Sequence, residues 1–225
     1  MSLNIVRQID DRVAVRHALV SVSDKTGLDN LIPGLVAACP DVRIYSTGGT
    51  FAALQTMLGA GSRNLVSVSD YTGQPEMQGG LVKTLDFRIY LGLLSETYNP
   101  AHRADLERTG AVPFDLVVVN LYPFQKTVAA RGVTLEEART NIDIGGPCMV
   151  RASAKNYLRV ASVTDPDDYP AVLDELRRRH GTLGMELRLR LMQKAFRHTA
   201  AYDAAIAQFF AGVAPAAARE TYTCH

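Results

Sequence analysis

Short apolar runs rich in β-branched residues alternate with stretches of helical periodicity along most of the chain. The runs are His17–Val22, Val42–Ser46, Leu65–Val68, Leu116–Asn120 and Val160–Val163. Several are apolar nearly throughout, the pattern of a strand covered on both faces. Helical spacing occupies Leu28–Cys39, Phe51–Leu58, Ala101–Thr109 and Pro147–Tyr157. Strands alternating with helices predict an α/β fold with a parallel, doubly wound sheet. Pro33 inside the first helical stretch predicts a late start or a kink. After about Asp165 the pattern changes. Asp167–His180 and Gly184–Phe210 read as helices with no strand between them, the second with apolar positions at Leu187, Leu191, Ala195, Phe196, Tyr202 and Ile206. The expected organisation is an N-terminal extension (1–16), an α/β core (17–165), a C-terminal helical appendage (166–211) and a loose Ala-rich tail (212–225).

Composition narrows the function. Of 225 residues, 47% are hydrophobic and 21% charged, with 24 Lys+Arg against 23 Asp+Glu. Such a chain has enough apolar surface for a full core and is not disordered. A net charge of +1 gives no overall reason to bind nucleic acid or an anionic membrane. No apolar run is long enough to span a bilayer, and the N-terminus lacks the apolar region of a secretory signal. Cys39, Cys148 and Cys224 are odd in number and widely spaced, which predicts a reducing, cytoplasmic compartment. The five histidines form no metal-ligand spacing, so no metal is expected.

Ligands of open parallel sheets bind where strand ends lead into helix starts, and four such junctions are rich in small polar residues. Ser21-Val22-Ser23-Asp24-Lys25-Thr26-Gly27 offers hydroxyls, helix-start N–H groups and an ammonium, which suits a phosphate monoester. It lacks the glycines of a Walker A loop. Ser46-Thr47-Gly48-Gly49-Thr50 allows close backbone approach to a ligand, and the two loops could converge on one phosphate. An ordinary capped turn explains each loop equally well by itself. Asn120-Leu121-Tyr122-Pro123 places an amide and a phenol at the tip of the strongest strand, or is a Pro-containing turn. Asn141-Ile142-Asp143-Ile144-Gly145-Gly146-Pro147-Cys148 leads to Arg151 and Lys155. Gly145 and Gly146 N–H groups could form an anion hole, and Asp143 could pair with Lys155. A surface salt bridge beside a capped helix is the competing explanation. Between the second and third junctions, Tyr71–Leu85 reads as a long loop in which Lys83 and Thr84 follow Gly79-Gly80.

Taken in order, SVSDKTG (21–27), STGGT (46–50), SDYTGQPEM (69–77), VKTL (82–85), VVNLYPF (118–124), NIDIGG (141–146), VRASAKN (150–156) and KAFRHTAAYD (194–203) resemble the inosine monophosphate cyclohydrolase domain of bifunctional purine-biosynthesis proteins. The resemblance implies a methylglyoxal synthase-like fold, no cofactor and a homodimer. It also implies closure of the pyrimidine ring of 5-formamidoimidazole-4-carboxamide ribotide to inosine monophosphate and water. The implied catalytic residues are Lys83, Tyr122, Asp143 and Lys155. The implied substrate-binding residues are Ser21, Ser23, Lys25 and Thr26, then Ser46, Gly48, Gly49 and Thr50, together with Thr84, Asn120, Gly145 and Gly146. Leu81, Asp86, Phe87 and Tyr90 depart from the family pattern, standing where Arg, His-Pro and a later His are usual. The formyl-transfer domain that follows in the family is not in this chain. The chain is expected to act alone or as an excised domain, with another enzyme supplying the formylated ribotide. A non-catalytic purine-nucleotide-binding module and, from fold analogy, a lyase on dihydroxyacetone phosphate remain alternatives.

Overall fold

The computed structural model describes residues 5–74 and 84–223. Five strands form a wholly parallel sheet: β2 (His17–Val22), β3 (Arg43–Ser46), β4 (Leu65–Ser67), β5 (Leu116–Asn120) and β6 (Ala161–Val163), in the order β4-β3-β2-β5-β6. The chain winds outward from β2 to β4, then crosses back to lay β5 on the other side of β2, where Val22 lies beside Asn120. The expected strands therefore form within a residue of their anticipated ends. The alternation is visible in the packing. Ala18, Val20 and Val22 of β2, with Leu116 and Val118 of β5, face one core, and Leu19, Val117 and Val119 face the other.

The first face is covered by α1 (Leu28–Ala38), by α2 (Gly48–Leu58) through Leu54, and by α9 (Tyr169–Arg178). The second is covered by α3 (Val68–Thr72), α4 (Phe87–Leu94) and α8 (Gly145–Lys155). α5 (Pro100–Thr109) buries no residue, and the short α6 (Phe124–Val128) and α7 (Leu135–Thr140) connect β5 to α8. The 27-residue α10 (Met185–Ala211) contributes Leu187 and Leu191 to the first core and Ala195 and Tyr202 to the second. It thus ties the two layers together.

Three expectations are corrected. α1 starts at Leu28 and runs through Pro33 without the late start. A proline there removes a single helical hydrogen bond, and burial of Leu28, Leu31, Ile32 and Leu35 holds the helix on the sheet. A strand does separate the last two long helices. β7 (Thr182–Gly184) pairs antiparallel with β1 (Arg12–Ala14) from the N-terminal extension. The tail, expected to be loose, forms α11 (Pro215–Thr221), with Pro215 in its first turn, where a proline costs nothing. α4 also occupies a stretch for which no helix was expected. Asp86, a departure from the family pattern, caps it, accepting from Arg88 N–H at 2.7 Å and from the Gln74 amide at 2.9 Å.

Arg188 is fully buried on α10. Its guanidinium donates to five carbonyls: Tyr157 (3.0 Å), Asp11 (3.1 Å), Leu183 (2.6 Å), Asp10 (2.7 Å) and Leu158 (3.2 Å). One side chain thereby fastens the N-terminal extension, β7 and the turn before β6 to α10. No described helix is long and apolar enough to cross a membrane.

Candidate active site

The return crossing from β4 to β5 makes β2 and β5 a topological switch point, where the loops leaving adjacent strands diverge and open a crevice. A cavity of about 440 Å³ lies there. The β2 loop supplies Ser21, Ser23 and Lys25, and the start of α2 supplies Gly48, Gly49 and Thr50. Thr84, Asn120 and Tyr122 border it on one side, and Asp143, Gly145 and Gly146 on another. Two Ser/Thr/Gly loops from different strands thus do meet in one cavity. Gly48 has φ 55°, a conformation that suits glycine. The cap of α2, Thr47, makes no side-chain hydrogen bond to the helix, which leaves first-turn N–H groups for a ligand.

Asp143 precedes α8 and is held from several sides. Its Oδ1 accepts from Gly146 N–H at 2.8 Å, and Tyr122 N–H also donates to the carboxylate. Its own N–H donates to the hydroxyl of Tyr202 at 2.8 Å. Burial pushes the carboxyl above the usual carboxylate range, opposed by the two N–H donors. A Cβ on Gly146 would collide with Asp143 Oδ2 and come within 2.7 Å of Leu121, and a Cβ on Gly145 would come within 2.7 Å of Thr84 Oγ1. Both glycines are fixed by close approach. Lys25 and Asp143 are the formally charged side chains among the described residues lining the cavity, with the Tyr122 phenol, 52% exposed, at its mouth.

Several expected residues do other work. Lys155 is exposed at the last turn of α8, while Asp143 precedes the first. At 1.5 Å of rise per residue the two ends are ~15 Å apart, so the expected Asp143–Lys155 pair does not form within this chain. Ser46 is fully buried and donates to Val20 C=O at 2.7 Å, tying β3 to β2 outside the cavity. Thr26 turns to Asp24, its hydroxyl donating to Oδ1 at 2.6 Å. Thr50 lines the cavity while bracing β2, accepting from Val22 N–H at 3.1 Å and donating to its C=O at 3.0 Å. The Asn120 amide shapes the β2 loop. Its oxygen accepts from Ser23 and Asp24 N–H at 2.7 and 2.9 Å, and its nitrogen donates to Asp24 C=O at 2.8 Å. Gly146 N–H is spent on Asp143, so the expected two-glycine anion hole loses one donor. Lys83 and Leu81 lie outside the described residues.

Tyr90, on α4, buries its hydroxyl beside the Cys148 thiol, and burial drives that phenol far above its ordinary pKa. Phe87 is 61% exposed. Sequence reasoning missed Thr140 in the lining and the part of Tyr202; Thr47 lay in the second loop without being singled out. The KAFRHTAAYD stretch contained that tyrosine, but nothing in its spacing pointed to a loop so distant in sequence. No group of His, Cys, Asp and Glu among the described residues could hold a metal ion.

The family model of the MGS-like domain matches residues 28–148, and that of the AICARFT/IMPCHase bienzyme matches residues 153–224. The bifunctional purine biosynthesis protein PurH of Magnetococcus marinus is 46% identical over 213 residues, covering 93% of this chain and 39% of that protein. PurH of Rhodopirellula baltica is 48% identical over 204 residues, covering 91% and 38%. The chain therefore spans about two fifths of the length of these relatives. The crystal structure of ForH superposes with a TM-score of 0.71 at 34% identity, covering 88% of this chain and all of that one. The chain belongs to the MGS-like domain family, and within it to the part shared with the AICARFT/IMPCHase bienzymes.

Proposed function

We propose that the protein is an inosine monophosphate cyclohydrolase, closing the six-membered ring of 5-formamidoimidazole-4-carboxamide ribotide with loss of water. The observation that carries this reading is the switch-point cavity, which sets a phosphate cradle opposite a half-buried carboxylate. The 5′-phosphate would lie on the α2 first turn and the Ser21–Lys25 loop, with the Lys25 ammonium balancing its charge. That places the base towards Asp143 and Tyr122.

In the reaction the carboxamide nitrogen bonds to the formyl carbon. One proton leaves that nitrogen and another leaves the formamido nitrogen, and both depart with the formyl oxygen as water. Asp143 takes the carboxamide proton as the new C–N bond forms. Its raised pKa brings it nearer to the pH at which a carboxylate both accepts and returns a proton. The Tyr122 phenol donates towards the developing oxyanion, and the fixed loop supplies orientation. A catalytic part for Lys155 would require it to reach the cavity of a second copy in a homodimer. A second reading, a purine-nucleotide-binding module without turnover, is favoured by the distance of Lys155 from Asp143.

Steady-state kinetics on the formamido ribotide test the assignment. Lys25→Ala should raise KM with little change in kcat, and Asp143→Ala should lower kcat with little change in KM. No turnover by the unmodified chain, with purine monophosphate binding that Lys25→Ala weakens, would favour the binding module.

A further inference from the structure

The opposite, amino-terminal edge of the sheet carries a second cavity, of about 460 Å³. Its floor is built from residues that immediately precede three strands. Asp115, before β5, accepts from Arg16 and His17 N–H at 2.8 and 2.9 Å, and from the buried Arg159 guanidinium at 2.5 Å. Arg159 also donates twice to Phe114 C=O, at 3.0 and 2.8 Å. The charges of this inner pair are thereby satisfied. The walls are different. Arg12, Arg16 and Arg103 come from β1, the β1–β2 junction and α5, and all three line the same cavity.

They make few close contacts, although the Asp10 and Glu96 carboxylates share the lining. Arg12 has only a 3.9 Å approach to the exposed Asp11. Arg103 makes a 3.5 Å contact to Thr97 C=O, and the Arg16 guanidinium has no hydrogen-bond or ion-pair partner among the described residues. The other carboxylates of the lining are engaged elsewhere. Asp10 accepts from the Tyr98 hydroxyl at 2.6 Å, and Glu96 lies 3.7 Å from His102.

We infer that this cavity is a second anion site, which takes a phosphate-bearing small molecule of about mononucleotide size. Guanidinium forks match phosphate oxygens in pairs, and three of them from separate segments surround one compartment. A cavity of this volume falls within the range of small-ligand sites. An extended acidic partner would instead call for arginines arrayed along one open face. The site shares no lining residue with the switch-point cavity, so its occupancy is independent of the proposed reaction.

Calorimetric titration of the full chain with inorganic pyrophosphate tests the inference, using the Arg16→Ser/Arg103→Ser double variant and Lys25→Ala. Both arginines are exposed, and thermal unfolding of the double variant checks that the fold survives. In 150 mM salt (roughly physiological ionic strength), pyrophosphate binding should persist in Lys25→Ala. It should weaken at least tenfold when Arg16→Ser/Arg103→Ser is added to Lys25→Ala. Binding in the Lys25→Ala background that the two arginine substitutions leave unchanged, or that Lys25→Ala alone abolishes, would overturn the second site. Because the readout is binding, a failed turnover assay would leave this inference standing, and the reverse holds too.

Discussion

Replacing Arg188 by methionine keeps an unbranched stem in the core and removes five donors at once. The carbonyl of Leu183 would lose its partner in the interior, and those of Tyr157, Leu158, Asp10 and Asp11 at the part-buried rim. The rim carbonyls can turn to water. The interior one forfeits about 1–3 kcal/mol. Against this stands the relief of no longer burying a cation that has no carboxylate in hydrogen-bond contact. Desolvation already holds its pKa below the ordinary arginine value, and the burial penalty is several kcal/mol per ion. The net expectation is a loss of about 3 kcal/mol, at the lower end of the range for breaking a buried charged network. For a chain of this size that corresponds to a fall in Tm of about 6–12 °C. Urea unfolding with linear extrapolation measures the difference, and amide exchange at residues 10–14 and 182–184 should accelerate selectively. A loss below about 1 kcal/mol, or exchange that quickens uniformly over the sheet, would refute the view of Arg188 as the fastener of the N-terminal extension.

The remaining predictions concern the switch-point cavity. Gly146→Ala should displace the Asp143 carboxylate, with which its Cβ would collide, and lower kcat/KM by about 10²-fold, as an ångström-scale misplacement does. Circular dichroism should show the fold retained. Tyr202→Phe removes the acceptor of the Asp143 N–H and should lower kcat by roughly two- to tenfold, the equivalent of one hydrogen bond, with KM nearly unchanged. An equal loss in both parameters would count against a positioning role. Asp143 must be ionised to accept a proton, and its pKa is raised. The rate should therefore rise with pH through a midpoint above the ordinary ~3.9 of aspartate. Asp143→Asn should abolish that limb.

Much of this architecture is legible in the sequence because it is local. Leu116–Asn120 is apolar almost throughout since β5 is covered on both faces, and the cavity-lining loops announce themselves as small polar residues between such a run and a helix. What escaped was set by distance or by axial position. The three-residue strands β1 and β7 are too short to carry a period, and their pairing joins the two ends of the fold. Lys155 shares a helix face with Arg151, as its spacing requires, but each turn of α8 also carries it about 5.4 Å further from Asp143. Ser46 belongs to a ligand-loop motif yet is still a strand residue, and the pleat turns its hydroxyl into the sheet. Asp86 caps α4, a role that the sequence pattern around it does not announce.

What separates closing a purine ring from merely holding a nucleotide is turnover. The most direct test is a turnover assay on the purified chain at saturating formamido ribotide, following ultraviolet absorbance and identifying the product by chromatography. Multiple turnovers to inosine monophosphate by the unmodified chain, lost in Asp143→Ala, are the predicted result. A folded protein that is stabilised thermally by purine monophosphates yet forms no inosine monophosphate would contradict it.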